Sequence, residues 1–161
     1  MPQRRDPDQI SAPRPDAAKA VGAVVRSLYD LISGPVDAAR NWDRFRSFFL
    51  PGARLIPQHR VPAGPVQIMD VEAYIARVEK LIAGTGFHER EVAARIDIFG
   101  AIAHVLSTYE ARHALDEKEP FMRGINSIQL LYEGGRWQVA SVIWDIEGEN
   151  NPIPVQYLPS N

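Results

Sequence analysis

Residues 123–144 read Arg-Gly-Ile-Asn-Ser-Ile-Gln-Leu-Leu-Tyr-Glu-Gly-Gly-Arg-Trp-Gln-Val-Ala-Ser-Val-Ile-Trp. Glu133-Gly134-Gly135 is a turn between two strands, because glycine accepts the positive φ angles that a tight hairpin demands. Before the turn, Asn126, Ile128 and Leu130 share one face and Ser127, Gln129 and Leu131 the other. After it, strict alternation groups Gln138, Ala140, Val142 and Trp144 against Trp137, Val139, Ser141 and Ile143. Both faces are largely apolar, so both are expected to be covered. Asn126, a polar residue on a face bound for the interior, is the first chemical clue.

Upstream the period is also two: Phe87–Phe99 reads as one long strand and Ala101–Ala114 as the next, with a turn at Phe99-Gly100-Ala101. Further back it becomes helical. Ala17, Ala20, Val21, Val24, Val25, Leu28, Leu31 and Ile32 form an apolar stripe that begins after Asp16 and ends at Gly34-Pro35. A shorter helix is expected over Asp37–Phe49, with Trp42, Phe45, Phe48 and Phe49 on its buried side. Ala53–Gln58 and Val66–Met69 read as short strands, made irregular by Pro57, Pro62 and Pro65. Asp70 is placed to cap a third helix striped by Val71, Tyr74, Ile75, Val78, Leu81 and Ile82. Asp16 and Asp37 are read as caps in the same way. Helices followed by four long antiparallel strands make an α+β domain over 15–147, in which a bent sheet wraps the first helix. Residues 1–14, rich in Pro, Arg and Asp, read as disordered, and 148–161 as an extended tail.

The 161 residues suit one domain, and 45% hydrophobic with 24% charged residues is an ordinary globular composition. A net charge of −2 without a basic stripe argues against a nucleic-acid role, and no apolar run reaches membrane-spanning length. The Arg-containing N-terminus has no apolar run behind it, so a cytoplasmic protein is expected. Without cysteine there is no thiolate nucleophile and no cysteine-held metal, and the four histidines show no ligand spacing. No nucleophile elbow, phosphate-cradling loop or dinucleotide fingerprint occurs, so no cofactor is expected.

Three stretches, in this order and spacing, carry a resemblance: Phe49-Leu-Pro-Gly-Ala-Arg-Leu-Ile56, Ile102-Ala-His-Val-Leu-Ser-Thr-Tyr-Glu-Ala-Arg112, and Gly124-Ile-Asn-Ser-Ile-Gln-Leu130 with Gly135-Arg-Trp137 and Ile143-Trp144. Over Asp16–Glu147 the chain resembles the nuclear transport factor 2-like superfamily, which includes ketosteroid isomerase-like and polyketide cyclase-like proteins. The resemblance implies a cone-shaped half-barrel with a pocket at its open end, and a homodimer formed through the outer sheet face. Isomerase-like members use an Asp base, a helix Tyr and a protonated Asp. Carried over without gaps, these positions fall on Pro57, Ser27 and Asn126. Proline cannot abstract a proton, serine is too short to replace a phenol, and Asn126 donates but does not titrate. The resemblance thus implies the pocket and not that chemistry.

The pocket expected from this match is lined by Trp42, Leu55, Tyr74, Asn126, Ile128 and Trp144, and takes a small apolar or aromatic ligand. Two histidines are candidate bases, since imidazole titrates near ~6.5. His59 lies two residues past Pro57, as a base on the same strand face or as an exposed loop residue. His104 shares a strand face with Leu106, Thr108, Glu110 and Arg112. Val105, Ser107, Tyr109, Ala111 and His113 make the other face, and hydrophobicity does not decide which points inward. Arg123 either pairs across strands with Glu110 or holds an anionic ligand at the pocket mouth. Two functions follow: a pocket protein carrying out proton transfer without a cofactor (a lyase, isomerase or hydrolase), or a non-catalytic binding or assembly subunit working through its outer face at Tyr109, Ser127 and Gln129.

Overall fold

The computed structural model describes residues 16–58 and 64–161. The expected disordered segment and His59 lie outside the described residues. The elements run α1 (Ala17–Ile32), α2 (Trp42–Ser47), β1 (Phe49–Pro57), α3 (Val71–Ile82), β2 (His88–Phe99), β3 (Ile102–Arg112), β4 (Met122–Glu133) and β5 (Arg136–Ile146), followed by a 3-10 turn at Val155–Tyr157. The strands form one sheet in the order β1-β5-β4-β3-β2, antiparallel throughout except for the parallel β1–β5 pair. Among the described residues, no helix is long and apolar enough to cross a membrane.

The α1 stripe buries Val21, Val25, Leu28, Tyr29 and Ile32 against the concave side of the sheet, with β2 as its main support. Val21, Val25, Val105 and Val139 are almost wholly withdrawn from solvent, each contributing about 1.5–3 kcal/mol by burial. Of the expected caps, only Asp70 acts as one, its carboxylate accepting from the Ala73 N–H at 2.8 Å. Asp16 stands at the start of α1 without a side-chain bond. Asp37 has φ 60°, outside any helix, and α2 starts later than expected because Asn41 caps it by accepting from the Arg44 N–H at 3.1 Å. β1 begins at Phe49, ahead of its expected start, because its partner β5 offers a free edge there. The expected strand at Val66–Met69 reduces to one bridge between Met69 and Leu55.

Two bulges bend the antiparallel part of the sheet, beside a register shift between Phe49 and Arg54 in β1. In β5, Ser141 faces Gln129 and Val139 faces Leu130, leaving Ala140 as an extra residue. Alternation breaks there, so Trp137 and Val139 are buried on the same side as Val142, and Gln138 and Ala140 turn away. The even-numbered face expected for this strand is corrected accordingly. In β2 the extra residue is Val92, between the Glu91–Tyr109 and Ala93–Thr108 pairs. The C-terminal tail folds back on the convex side, where Thr108 Oγ1 donates to the Tyr157 carbonyl at 2.6 Å. Gly124 lets β4 lie close: a Cβ there would stand 2.5 Å from both the Asp145 carbonyl and the Tyr109 hydroxyl.

Candidate functional site

The bent sheet, α1 and α3 enclose a cavity of about 360 Å³, whose walls are mostly apolar and include Leu55, Ile128, Val142 and Trp144. The exposed residues Gln58, Leu81 and Ile146 mark its rim. The aromatic wall is built in sequence: Phe45 stacks on Tyr74 at 5.6 Å, and Tyr74 meets Trp144 edge-on at 5.8 Å. Asn126 and Trp144 are direct partners across β4 and β5, so both reach the cavity from one face.

Into this apolar space open a few polar groups. Glu89 of β2 has no hydrogen-bond or ion-pair partner for its carboxyl among the described residues, and burial pushes that carboxyl up to about 8. Tyr74 and Tyr109 likewise line the cavity, and no described residue hydrogen-bonds to their hydroxyls. Burial, and after it the charge of Glu89, raises both phenols above their ordinary value. Glu89 is held in place through its backbone, its N–H donating to Ser33 Oγ at 2.9 Å while Ser33 donates to the Tyr29 carbonyl at 2.7 Å. This ties β2 to the end of α1.

A second set is joined by hydrogen bonds. Asn126 Nδ2 donates to the Tyr29 hydroxyl at 2.8 Å. That hydroxyl lies 2.7 Å from Ser107 Oγ, and Ser107 donates to Glu91 Oε2 at 2.6 Å. Tyr29 and Asn126 touch the cavity, whereas Ser107 is fully buried behind them. Burial first, then Glu89, raises the Tyr29 phenol.

Of the residues singled out by sequence, Asn126, Trp144, Ile128, Leu55 and Tyr74 line the cavity. Trp42 does not: its indole donates to Glu79 at 2.9 Å and its ring packs edge-on against Phe45, outside the cavity wall. His104 faces the convex side, 3.0 Å from Ser127 Oγ, because Val105, Ser107, Tyr109 and Ala111 are the inward set of β3. Tyr109, expected on the outer face in the assembly reading, therefore points inward. Arg123 is away from the cavity mouth and holds Glu147 through two bonds of 2.7 and 2.9 Å. Glu110, its strand neighbour, pairs with Arg112 at 2.8 Å instead.

Sequence reasoning missed Tyr29, Glu89, Glu91 and Ser107. Tyr29 is four residues past Val25 and eight past Val21, in phase with the α1 stripe. A gap-free carry-over puts the helix tyrosine at Ser27, two residues short. Glu89 and Glu91 share the phase of Phe87 on an inward-facing strand, which was the available signal. Among the described residues, no group of three His, Asp or Glu side chains is placed to hold a metal ion.

No family model and no curated protein matches the chain. Solved structures do. A nuclear transport factor 2-like protein of unknown function from Silicibacter pomeroyi has 18% identity and a TM-score of 0.59, over 82% of this chain and 97% of that one. A protein of unknown function with a cystatin-like fold from Nostoc punctiforme has 8% identity and a TM-score of 0.66, over 86% and 97%. A candidate scytalone dehydratase from Novosphingobium aromaticivorans has 13% identity and a TM-score of 0.61, over 88% and 91%. At these identities the likeness concerns the fold: the chain has the α+β cone of the nuclear transport factor 2-like proteins.

Proposed function

We propose that the protein binds a small, mostly apolar ligand carrying one carbonyl or hydroxyl group, and moves a proton on it. The observation that carries this reading is that Glu89, Tyr74 and Tyr109 open onto an apolar cavity with no side-chain partner among the described residues. A ligand's polar atom in the cavity would give these groups the hydrogen-bond partner that no described side chain provides. In this reading Glu89 is the group that takes and returns the proton. Its value of about 8 matches the requirement that a general acid or base titrate near the working pH. The two phenols donate to the ligand oxygen on which charge develops. Asn126 and Trp144 orient the ligand from β4 and β5. The dehydratase description of the Novosphingobium neighbour is compatible with a proton-transfer site in this fold.

The test uses 2-tetralone, an enolisable bicyclic ketone, and tetralin, the hydrocarbon without its carbonyl. Tetralone is expected to shift the Trp144 indole resonance and to bind more tightly than tetralin. The protein is expected to speed deuterium exchange at the carbon beside the carbonyl, with a rate that rises through about pH 8 and is lost in Glu89→Gln. Binding without exchange would favour a non-catalytic binding protein. No binding of either compound would overturn the reading of the cavity.

A second reading rests on the convex face, where Ile102 and Ile143 are about half exposed between β3, β4 and β5. A homodimer through this face would cover them. Sedimentation of wild type against Ile143→Lys checks it, since only a dimer built there would dissociate in the variant.

A further inference from the structure

The hydrogen-bond chain behind the cavity has a direction. Ser107 has one hydroxyl proton, and it is given to Glu91. Between Tyr29 and Ser107 the donor is therefore the phenol. Tyr29 in turn accepts from Asn126. Every link points the same way, from Asn126 through Tyr29 and Ser107 to Glu91, over distances of 2.8, 2.7 and 2.6 Å. One end, Tyr29 with Asn126, faces the cavity. The other end, Glu91, is not in the cavity wall and is only partly buried. A chain of this polarity already holds each proton on the side from which it must leave.

We infer that Tyr29, Ser107 and Glu91, with Asn126 orienting the phenol, form a proton relay that drains a proton from the cavity to the Glu91 carboxylate, giving the cavity a second, indirect base. This rests on the reading of the cavity as a proton-transfer site. The step balances. A ligand hydroxyl or a cavity water gives its proton to the Tyr29 oxygen, Tyr29 passes its own to Ser107 Oγ, and Ser107 passes its own to Glu91 Oε2. Each relay oxygen ends with one proton, Glu91 becomes neutral, and the ligand oxygen is left with the negative charge. Only O–H bonds form and break. Glu91 and Ser107 act through Tyr29 and are positioning residues; Tyr29 is the group that meets the ligand.

The surroundings of Glu91 suit this role. Arg26 of α1 is the cation that faces it, Ser107 and Tyr109 face it from β3, and Glu89 lies two residues along its own strand. Burial raises the Glu91 carboxyl, while the Ser107 bond and Arg26 pull it back. Glu89 has no such relief and is pushed further, to about 8. Near neutral pH Glu89 thus carries a proton to give, while Glu91 is the acceptor of the Ser107 hydroxyl at the far end of the chain.

The relay is tested without a substrate, through exchange of the Tyr29 hydroxyl proton with water, measured by saturation transfer in NMR. Glu91→Gln keeps the size of the side chain and an acceptor for Ser107 but removes the base. If the relay is the exit path, exchange slows by roughly a hundredfold, the low end of what a positioned proton acceptor contributes. It slows likewise in Ser107→Ala. If the chain only fastens α1 to the sheet, Glu91→Gln leaves the rate unchanged and Ser107→Ala raises it by freeing the phenol. Either of those results overturns the relay. Tetralone exchange that persists beside such a result would remove Glu91 and leave Glu89, whereas a slowed phenol proton with no tetralone binding would keep the relay and remove the ligand reading.

Discussion

Replacing Glu89 by glutamine is expected to make the protein more stable in alkaline solution. In the unfolded chain Glu89 titrates near its ordinary value of 4.5, and in the folded chain at about 8. Between these values the folded state holds a proton that the unfolded state has lost. Stability therefore falls as pH rises through this window and levels off above it. At about 1.4 kcal/mol for each pH unit, the full loss is on the order of 5 kcal/mol. Hydration of the carboxylate through the open rim reduces this, so a loss of roughly 2–5 kcal/mol is expected. Glutamine has no proton to lose and is free of this term. Urea unfolding midpoints of wild type and Glu89→Gln, compared from pH 5 to 9, isolate it from every other titration in the chain. The two proteins should agree near pH 5, and the variant should lead by a few kcal/mol at pH 9. Equal slopes would refute the account, because they would mean that Glu89 is solvated or paired in the folded protein.

Gly124→Ala should destabilise by about 2–3 kcal/mol, since its Cβ would stand 2.5 Å from the Asp145 carbonyl and the Tyr109 hydroxyl; adding Tyr109→Phe should restore only part of this, because the backbone oxygen remains, and thermal unfolding reads both. Asn126→Leu should cost about 1 kcal/mol, because Tyr29 keeps Ser107 as a partner, and should weaken 2-tetralone binding about tenfold while leaving the sedimentation coefficient unchanged. Arg123→Ala should cost about 0.5–1 kcal/mol, the worth of a partly exposed ion pair, and leave tetralone affinity as it was; a loss of affinity would return Arg123 to the cavity mouth.

The elements were legible where their period was uninterrupted. α1, α3, the glycine turn and the long strands follow from spacing alone, because one face of each is buried and nothing breaks the repeat. The face assignments were legible only up to the first bulge. Ala140 reverses the phase of β5, and nothing in Gln138-Val139-Ala140-Ser141 announces it, since the bulge is set by pairing with β4. For β3 the decision between His104 and Ser107 as inward residues was invisible for a related reason: both faces are mixed, and the convex one is partly covered by a tail far away in sequence. Asn126 and Trp144 were found because a polar residue and a large aromatic stand opposite each other on an otherwise apolar hairpin. Glu89 was overlooked because acidic residues on a charged strand look like solvent-facing ones, and only tertiary burial separates it from Arg90 beside it. Trp42 and Arg123 were misplaced because each found a local partner, Glu79 and Glu147, that their positions in the chain do not reveal.

The parallel pairing of β1 with β5 sets the order in which the molecule can be finished. Leu55 pairs with Val142, so a strand near the start of the chain waits for the last one before its hydrogen bonds can close. During synthesis on the ribosome, Leu55 and the helix that precedes it have no edge to join until Arg136–Ile146 has emerged. A nascent chain stalled before that point has a meander of β2, β3 and β4 but no floor to its hollow, and its greasy interior stands open to any chaperone that recognises such surfaces.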